Sequence, residues 1–339
     1  AFKSGDIDFF SENSSKEWAT AYDLDAVKNN FIQKKLIDHE NPQGMQAFAF
    51  NTRKDLFKDR RVRRALSYAF DFEWTNKNLF YGAYKRTNSF FENSELASSG
   101  LPSKEEAQFL DPFRDILPKE LFTKEFSNPV TDGSGFIRSE LQEAINLLKE
   151  AGWELIDGKL KNKQTKDIFE FEILLVSPAF ERIVLPFKDN LEKLGIFASV
   201  RTIDSSQYQE RLENFDFDMV VSTFSQSLSP GNEQRNFWGS NAAETKGSRN
   251  IIGIKDYVVD SLIEQLITSK DRDDLIFATK ALDRVLLWNH YVIPQWHISS
   301  YRTLYWDFFG QPEIRPKYSL GFDTWWVDES KIKFIESKR

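Results

Sequence analysis

The chain has 339 residues, of which 40% are hydrophobic and 29% charged, with a formal net charge of −7. That length exceeds one compact domain, so two lobes or one large α/β unit are expected, and the acidic balance argues against a nucleic-acid partner, which needs a basic face. No run of about eighteen apolar residues is present to span a bilayer, and the absence of cysteine excludes disulfides, thiolate zinc sites and cysteine nucleophiles.

The chain opens Ala1-Phe2-Lys3-Ser4-Gly5-Asp6, with no initiator Met and no secretory n- or h-region, so either a leader has been removed or this is a piece of a longer protein. Residues 1–40 mix polar turns with a helix. Phe48 to Thr52 reads as a strand ending in a turn. Val62, Ala65, Leu66, Ala69 and Phe70 then form one apolar helical face. Arg61, Arg63 and Arg64 lie mostly off that face and read as a solvated outer surface. The stretch from about 85 to 135 is rich in Ser, Asn, Pro and Asp with scattered Phe, and reads as long irregular structure bridging lobes or carrying function.

Order returns at Ser139, which with Gln142 fits a capping box. Leu141, Ala144, Ile145 and Leu148 give the helical stripe, and Gly152 is placed to end it. Phe169, Phe171, Ile173 and Leu175 alternate as a strand does. Ile183, Phe187, Leu191 and Leu194 form a helix stopped by Gly195, and Ile196 to Ile203 is a second strand. That βαβ unit requires parallel strands. Asp216 to Thr223 adds a third strand, followed by a polar loop from Ser225 to Asn236 and helices at about 255–269 and 272–289. Pro294 bars helix from continuing into the aromatic segment Trp296 to Trp326. The fold class is α/β.

Signals for catalysis are sparse. Neither nucleotide-binding glycine pattern occurs, and Gly133-Ser134-Gly135 is a turn rather than a nucleophile elbow. The three histidines, His39, His290 and His297, lack metal-ligand spacing and read as locally hydrogen-bonded. No cofactor is implied. Fifty-two acidic residues and nine Trp leave a carboxylate-dependent glycosidase open, with Asp323 beside Trp325-Trp326 as its nearest candidate. The rings of the segment 296–326 read as core packing for the most part, with one or more free to face a ligand.

The motifs converge on a resemblance. Residues 47–71, with Phe57, Asp59, Val62, Arg63, Ala65, Leu66, Ala69 and Asp71 in place, resemble a hallmark of family 5 extracellular solute-binding proteins, the large peptide and nickel receptors of ABC importers. Gly5-Asp6-Ile7-Asp8 and Ala144 to Trp153 are similar to further family segments. Ser229 to Gln234, Phe237 to Ser240 and Ala281 to Leu287 resemble its YejA-type branch, which is associated with import of oligopeptides and microcin-type peptide antibiotics. The resemblance implies a two-lobed, class II periplasmic-binding-protein-like fold and a chain that is the C-terminal part of a longer receptor. Residues 1–44 would be a remnant of lobe I and crossover, 45–290 lobe II, and 291–339 a return segment packing on lobe I. It also implies a periplasmic, non-enzymatic receptor that does not span the membrane, with a peptide ligand and inner-membrane permease and ATPase partners; another solute, such as a glycan, is the alternative.

A ligand in such an open sheet is expected at the C-terminal end of a strand. The expected ligand-binding residues are therefore Ser225, Gln226, Ser227, Asn232, Glu233, Arg235 and Trp238, with Asn51 at the end of its own strand. Peptide-binding relatives place an Asp in this loop to pair with the peptide amino terminus. This loop has none, and Glu233 is its acidic residue.

Overall fold

A computed structural model describes residues 1–338. Their contacts divide the chain into two units: one gathers 1–41, 76–85 and the chain from Ile298 onward, and the other holds 42–75 and 86–297. The expected boundaries at 44/45 and 290/291 lie a few residues away, and the 76–85 excursion carries no sequence signal. Residues 291–297 go with the larger unit because Val292–Pro294 pairs with Met45–Phe50.

In the smaller unit, strand Ser300–Trp306 lies between Phe9–Ser11 and Ile32–Asp38, antiparallel to both. Leu304 and Trp306 build a small core with Phe2, Tyr22, Ile32, Phe308 and Ile335. The aromatic tail packs largely on itself, Trp325 lying 5.0 Å from Tyr305 and 5.2 Å from Phe322 between ring centroids. Asp323 is exposed beside it.

The larger unit runs β1 (Met45–Phe50), α1 (Arg60–Ser67), α2 (Arg138–Glu150), β2 (Glu170–Leu175), α3 (Glu181–Lys193), β3 (Phe197–Thr202), β4 (Met219–Phe224), α4 (Glu233–Trp238), α5 (Tyr257–Ile267), α6 (Arg272–Trp288) and β5 (Val292–Pro294). Its sheet has the order β5-β1-β4-β2-β3. The expected βαβ unit is present: β2 and β3 are parallel, and α3 buries Ile183, Phe187 and Leu191. Gly195 ends the turn with φ +78°, where a Cβ would sit 2.8 Å from the Leu160 nitrogen. The helices from the 255–289 region bury Val259, Leu262, Ala281, Leu282 and Val285 in the main core.

Three local expectations differ. The α2 helix starts at Arg138 with Ile137 at its N-cap, which leaves Ser139 inside the first turn, bonded to Glu140 rather than capping. The 85–135 stretch carries helices Lys104–Leu110 and Glu120–Thr123, and Phe90, Phe91, Leu110, Phe113 and Leu121 enter the main core. It is fastened to α6 through the buried Asp283 carboxylate, which accepts from Ser89, Phe90 and Ser98, and through the buried pair of Arg284 and Glu106.

Arg63 is the third. It is 4% exposed rather than solvated. Its guanidinium donates to the carbonyl oxygens of Phe57, Lys58, Asn289 and His290. The flank of α1 carrying Arg63 packs on the chain leaving α6, where terminal carbonyls lack helical partners, and a five-donor fork satisfies them.

Candidate ligand-binding site

The directions of the strands decide what meets at each edge of the sheet. β2 and β4 are parallel, whereas β1 runs against β4 with Met45 opposite Phe224 and Phe50 opposite Met219. One edge therefore collects the C-terminal ends Leu175, Thr202 and Phe224 together with Met45, the N-terminal end of β1. Gly44 lets the chain enter there. Its φ is +62°, and a Cβ would lie 2.4 Å from the Phe224 carbonyl oxygen.

Asn51 lies at the other edge, apart from the loop after β4. It is fully buried; its amide nitrogen donates to the carbonyls of Phe215 and Phe217 at 2.9 and 2.8 Å, and its oxygen accepts from Arg53. Its hydrogen-bonding capacity is spent inside the fold. An apolar strand read without its direction gave no means of telling one edge from the other.

The remaining expected residues lie close together after β4, but not as one open loop. Ser225 and Ser227 are exposed, and Ser227 Oγ accepts from the Ser229 N–H at 3.2 Å. The chain then winds into α4, whose Phe237 and Trp238 turn inward. Trp238 is fully buried against Phe90 and Phe224, at 5.1 and 5.0 Å. Its Nε1–H donates to Gln234 Oε1 at 2.8 Å, and Gln234 Nε2 in turn donates to Gln226 Oε1 at 2.7 Å. Trp238 thus anchors the loop from below. Glu233 is exposed and accepts from the Gly231 N–H at 2.8 Å. Arg235 bonds Glu264 of α5 through two nitrogens, at 2.7 and 2.6 Å, and Asn232 Oδ1 at 2.5 Å, so both side chains brace α4.

Four more residues sit at this edge. Gln295 follows β5, is fully buried, and accepts from Gln46 Nε2 at 2.8 Å. The ring of Trp296 stacks on Phe180 at 6.0 Å and 17°. Gln226 Nε2 and Gln295 Nε2 are buried amides with no acceptor among the described residues. A buried donor left unpaired costs about 1–3 kcal/mol, so two of them at one edge invite carbonyl oxygens. On the flank of β4, Ser222, Thr223, Ser225 and Arg249 line a cavity of about 420 Å³. The Arg249 guanidinium lies 5.3 Å from the Phe237 ring and has no carboxylate within salt-bridge reach among the described residues. The signal for Gln295-Trp296 was present in the sequence, as a polar residue and a Trp directly after the apolar run Tyr291 to Pro294. Gln46 and Phe180 carry no such mark.

Among the described residues, no three His, Asp or Glu side chains group as metal ligands. The Nδ1 atom of His297 is 3.2 Å from Thr87 Oγ1.

Residues 1–246 match the bacterial extracellular solute-binding proteins, family 5 Middle. The chain belongs to that family. In Agrobacterium fabrum, "Probable peptide-binding protein YejA" is 45% identical over 329 residues, spanning 96% of this chain and 54% of that protein. From the same organism, "Peptidoglycan-binding protein YepA" is 36% identical over 334 residues, with 96% and 54% coverage. This chain therefore spans about half the length of these two relatives, and its likeness to YejA of Agrobacterium fabrum and, at 40% identity over 338 residues, to YejA of Escherichia coli puts it in the YejA branch of the family. The fold is similar to that of the Bacillus subtilis oligopeptide-binding protein AppA, solved in complex with a nonapeptide: TM-score 0.67 at 20% identity, covering 96% of this chain and 57% of that one. No helix among the described residues is long and apolar enough to cross a membrane.

Proposed function

We propose that this chain supplies one jaw of a periplasmic receptor that captures oligopeptides for an ABC importer and releases them unaltered. The observation that carries this reading is two buried, unpartnered amides, Gln226 Nε2 and Gln295 Nε2, at the same edge of the sheet as the Phe180–Trp296 stack. A peptide backbone offers carbonyl acceptors at regular intervals whatever its side chains, so amide donors suit a sequence-tolerant receptor. Exposed Ser225 and Ser227 add hydroxyls, and Arg249 offers a cation to a carboxylate terminus. The names of the Agrobacterium YejA relative and of the AppA–nonapeptide complex support peptides as the class. Microcin-type antibiotics belong to the same class and are natural probes.

A second reading, peptides carried on peptidoglycan fragments, is favoured by the name of the YepA relative. A carboxylate-dependent glycosidase has less support. Its nearest candidate, Asp323, is exposed to water rather than buried as a general acid is; the buried Asp283, whose carboxyl is pushed up to about 6 by burial, is enclosed by hydrogen bonds from two serine hydroxyls and two backbone N–H groups. Nothing there leaves room for a sugar.

Calorimetry on the full-length protein that contains this chain tests the reading, using mixed short peptides in one arm and muropeptides in the other. Saturable heat with linear peptides is expected. Gln226→Leu, with folding checked by circular dichroism, is expected to weaken binding about 5–10-fold, the value of roughly one hydrogen bond. No heat with either library sinks the proposal, and heat with muropeptides alone replaces it by the second reading.

A further inference from the structure

The opposite edge of the larger unit's sheet carries a second constellation, apart from the loop after β4. β5 pairs Val292 with Ala49, so His290 precedes that strand at the end where β1 leaves the sheet. Beside it lies a cavity of about 360 Å³ lined by Arg64, Lys124, Glu125, Phe126, Trp288 and His290, among others.

Its charges are unbalanced. Arg64 and Lys124 have no carboxylate within salt-bridge reach among the described residues. Nearby, Arg60 donates to the Trp288 carbonyl, and Arg63 is spent on four carbonyls, so neither is neutralised by a carboxylate contact. Glu125 is the acid in the lining, and its Oε1 accepts from the Gly100 N–H at 3.2 Å. The indole of Trp288 is 6% exposed, and its Nε1–H finds no acceptor among the described residues. The imidazole of His290 packs 5.7 Å from Phe126 and 6.4 Å from Trp288 between ring centroids. Burial, with the charges of Arg64, Arg60 and Arg63, holds it well below the usual histidine range and hence neutral at pH 7.

Unpaired cations and an orphan N–H beside a hydrophobic wall are what a compact oxyanion needs, since charge-assisted hydrogen bonds are the strong ones. We propose that this cavity is a binding site for a small oxyanion, a carboxylate or a phosphate, held by Arg64, Lys124 and the Trp288 indole N–H. The site stands independently of the peptide reading, because it lies at the other edge of the sheet and shares no residue with it.

The test is an NMR titration of the full-length protein at pH 7 with sodium phosphate in one arm and sodium acetate in the other. Chloride holds the ionic strength constant. The indole N–H of Trp288 and the ring of His290 are the reporters, assigned from the Trp288→Phe and His290→Asn variants. A saturable shift of both reporters in at least one arm is expected, and which arm saturates identifies the anion class. Arg64→Gln and Lys124→Gln are each expected to weaken that saturation by roughly tenfold, as removal of one charge-assisted contact does. Lys124 is exposed, so its variant folds whatever the fate of the other. Shifts that stay linear in both arms, or saturation unchanged in both variants, overturn the proposal.

Discussion

His290 sits in the left-handed backbone region at φ +51° with a partly enclosed, neutral ring. Both features link one residue to the stability of the larger unit. Burial of the ring, packed near Phe126 and Trp288, disfavours its protonation, and so do the charges of Arg64, Arg60 and Arg63. In the unfolded chain a histidine takes up a proton near pH 6.5, whereas the folded form resists until well below that. The unfolded state therefore binds more protons as pH falls, and the His290 contribution, complete above about 6.5, is lost as pH drops toward its folded value. Replacing His290 with Asn, which tolerates left-handed backbone, is expected to flatten the stability slope between pH 7 and 5. Urea midpoints at both pH values measure it; parallel slopes for the two proteins would contradict the assignment. Arg63 shows why such residues escape a sequence reading. Periodicity identifies the apolar stripe of α1, but it does not say that a neighbouring flank meets the carbonyls of Asn289 and His290 just past α6, which are distant in sequence.

At the scale of elements, the parts governed by local pattern were legible. The βαβ unit, the two helices after residue 255 and the stops at Gly152 and Gly195 follow from apolar spacing and glycine alone. What local pattern cannot carry is direction. β1 reads as a strand either way, and only its antiparallel register with β4 separates Asn51 from the residues after Phe224. The polarity of Asn232 to Asn236 hid α4 for a related reason: its turn is committed by Phe237 and Trp238, which find their core only in three dimensions. Gly44 gives a test of the edge they frame. Substituting Ala there combines a strained positive φ with a contact against the Phe224 carbonyl, so a loss of about 2–3 kcal/mol is expected in chemical denaturation. A change under about 0.5 kcal/mol would mean that β1 does not enter beside Phe224 as described.

At the scale of the molecule, the family could be read because its hallmark clusters in residues 47–71, and the outer boundaries were expected from that resemblance, while the 76–85 excursion could not be read. The 76–85 excursion and the return from Ile298 join one body through contacts distant in sequence. The relatives are about twice as long as this chain, which bears on how much binding it achieves alone. Pockets of receptors bury roughly 70–90% of a small ligand's surface, and one face of a cleft covers about half of that. A peptide held at about 1 μM by the whole receptor, near −8 kcal/mol, would keep about half that free energy on this chain, corresponding to a Kd of about 1 mM. Calorimetry of this chain beside the full-length protein, with the same peptide, measures the difference directly. Affinities within tenfold of each other would mean that the edge formed by Met45, Phe224 and Gln295 already holds the ligand, and would contradict the proposal that this chain is one of two jaws needed to grip it.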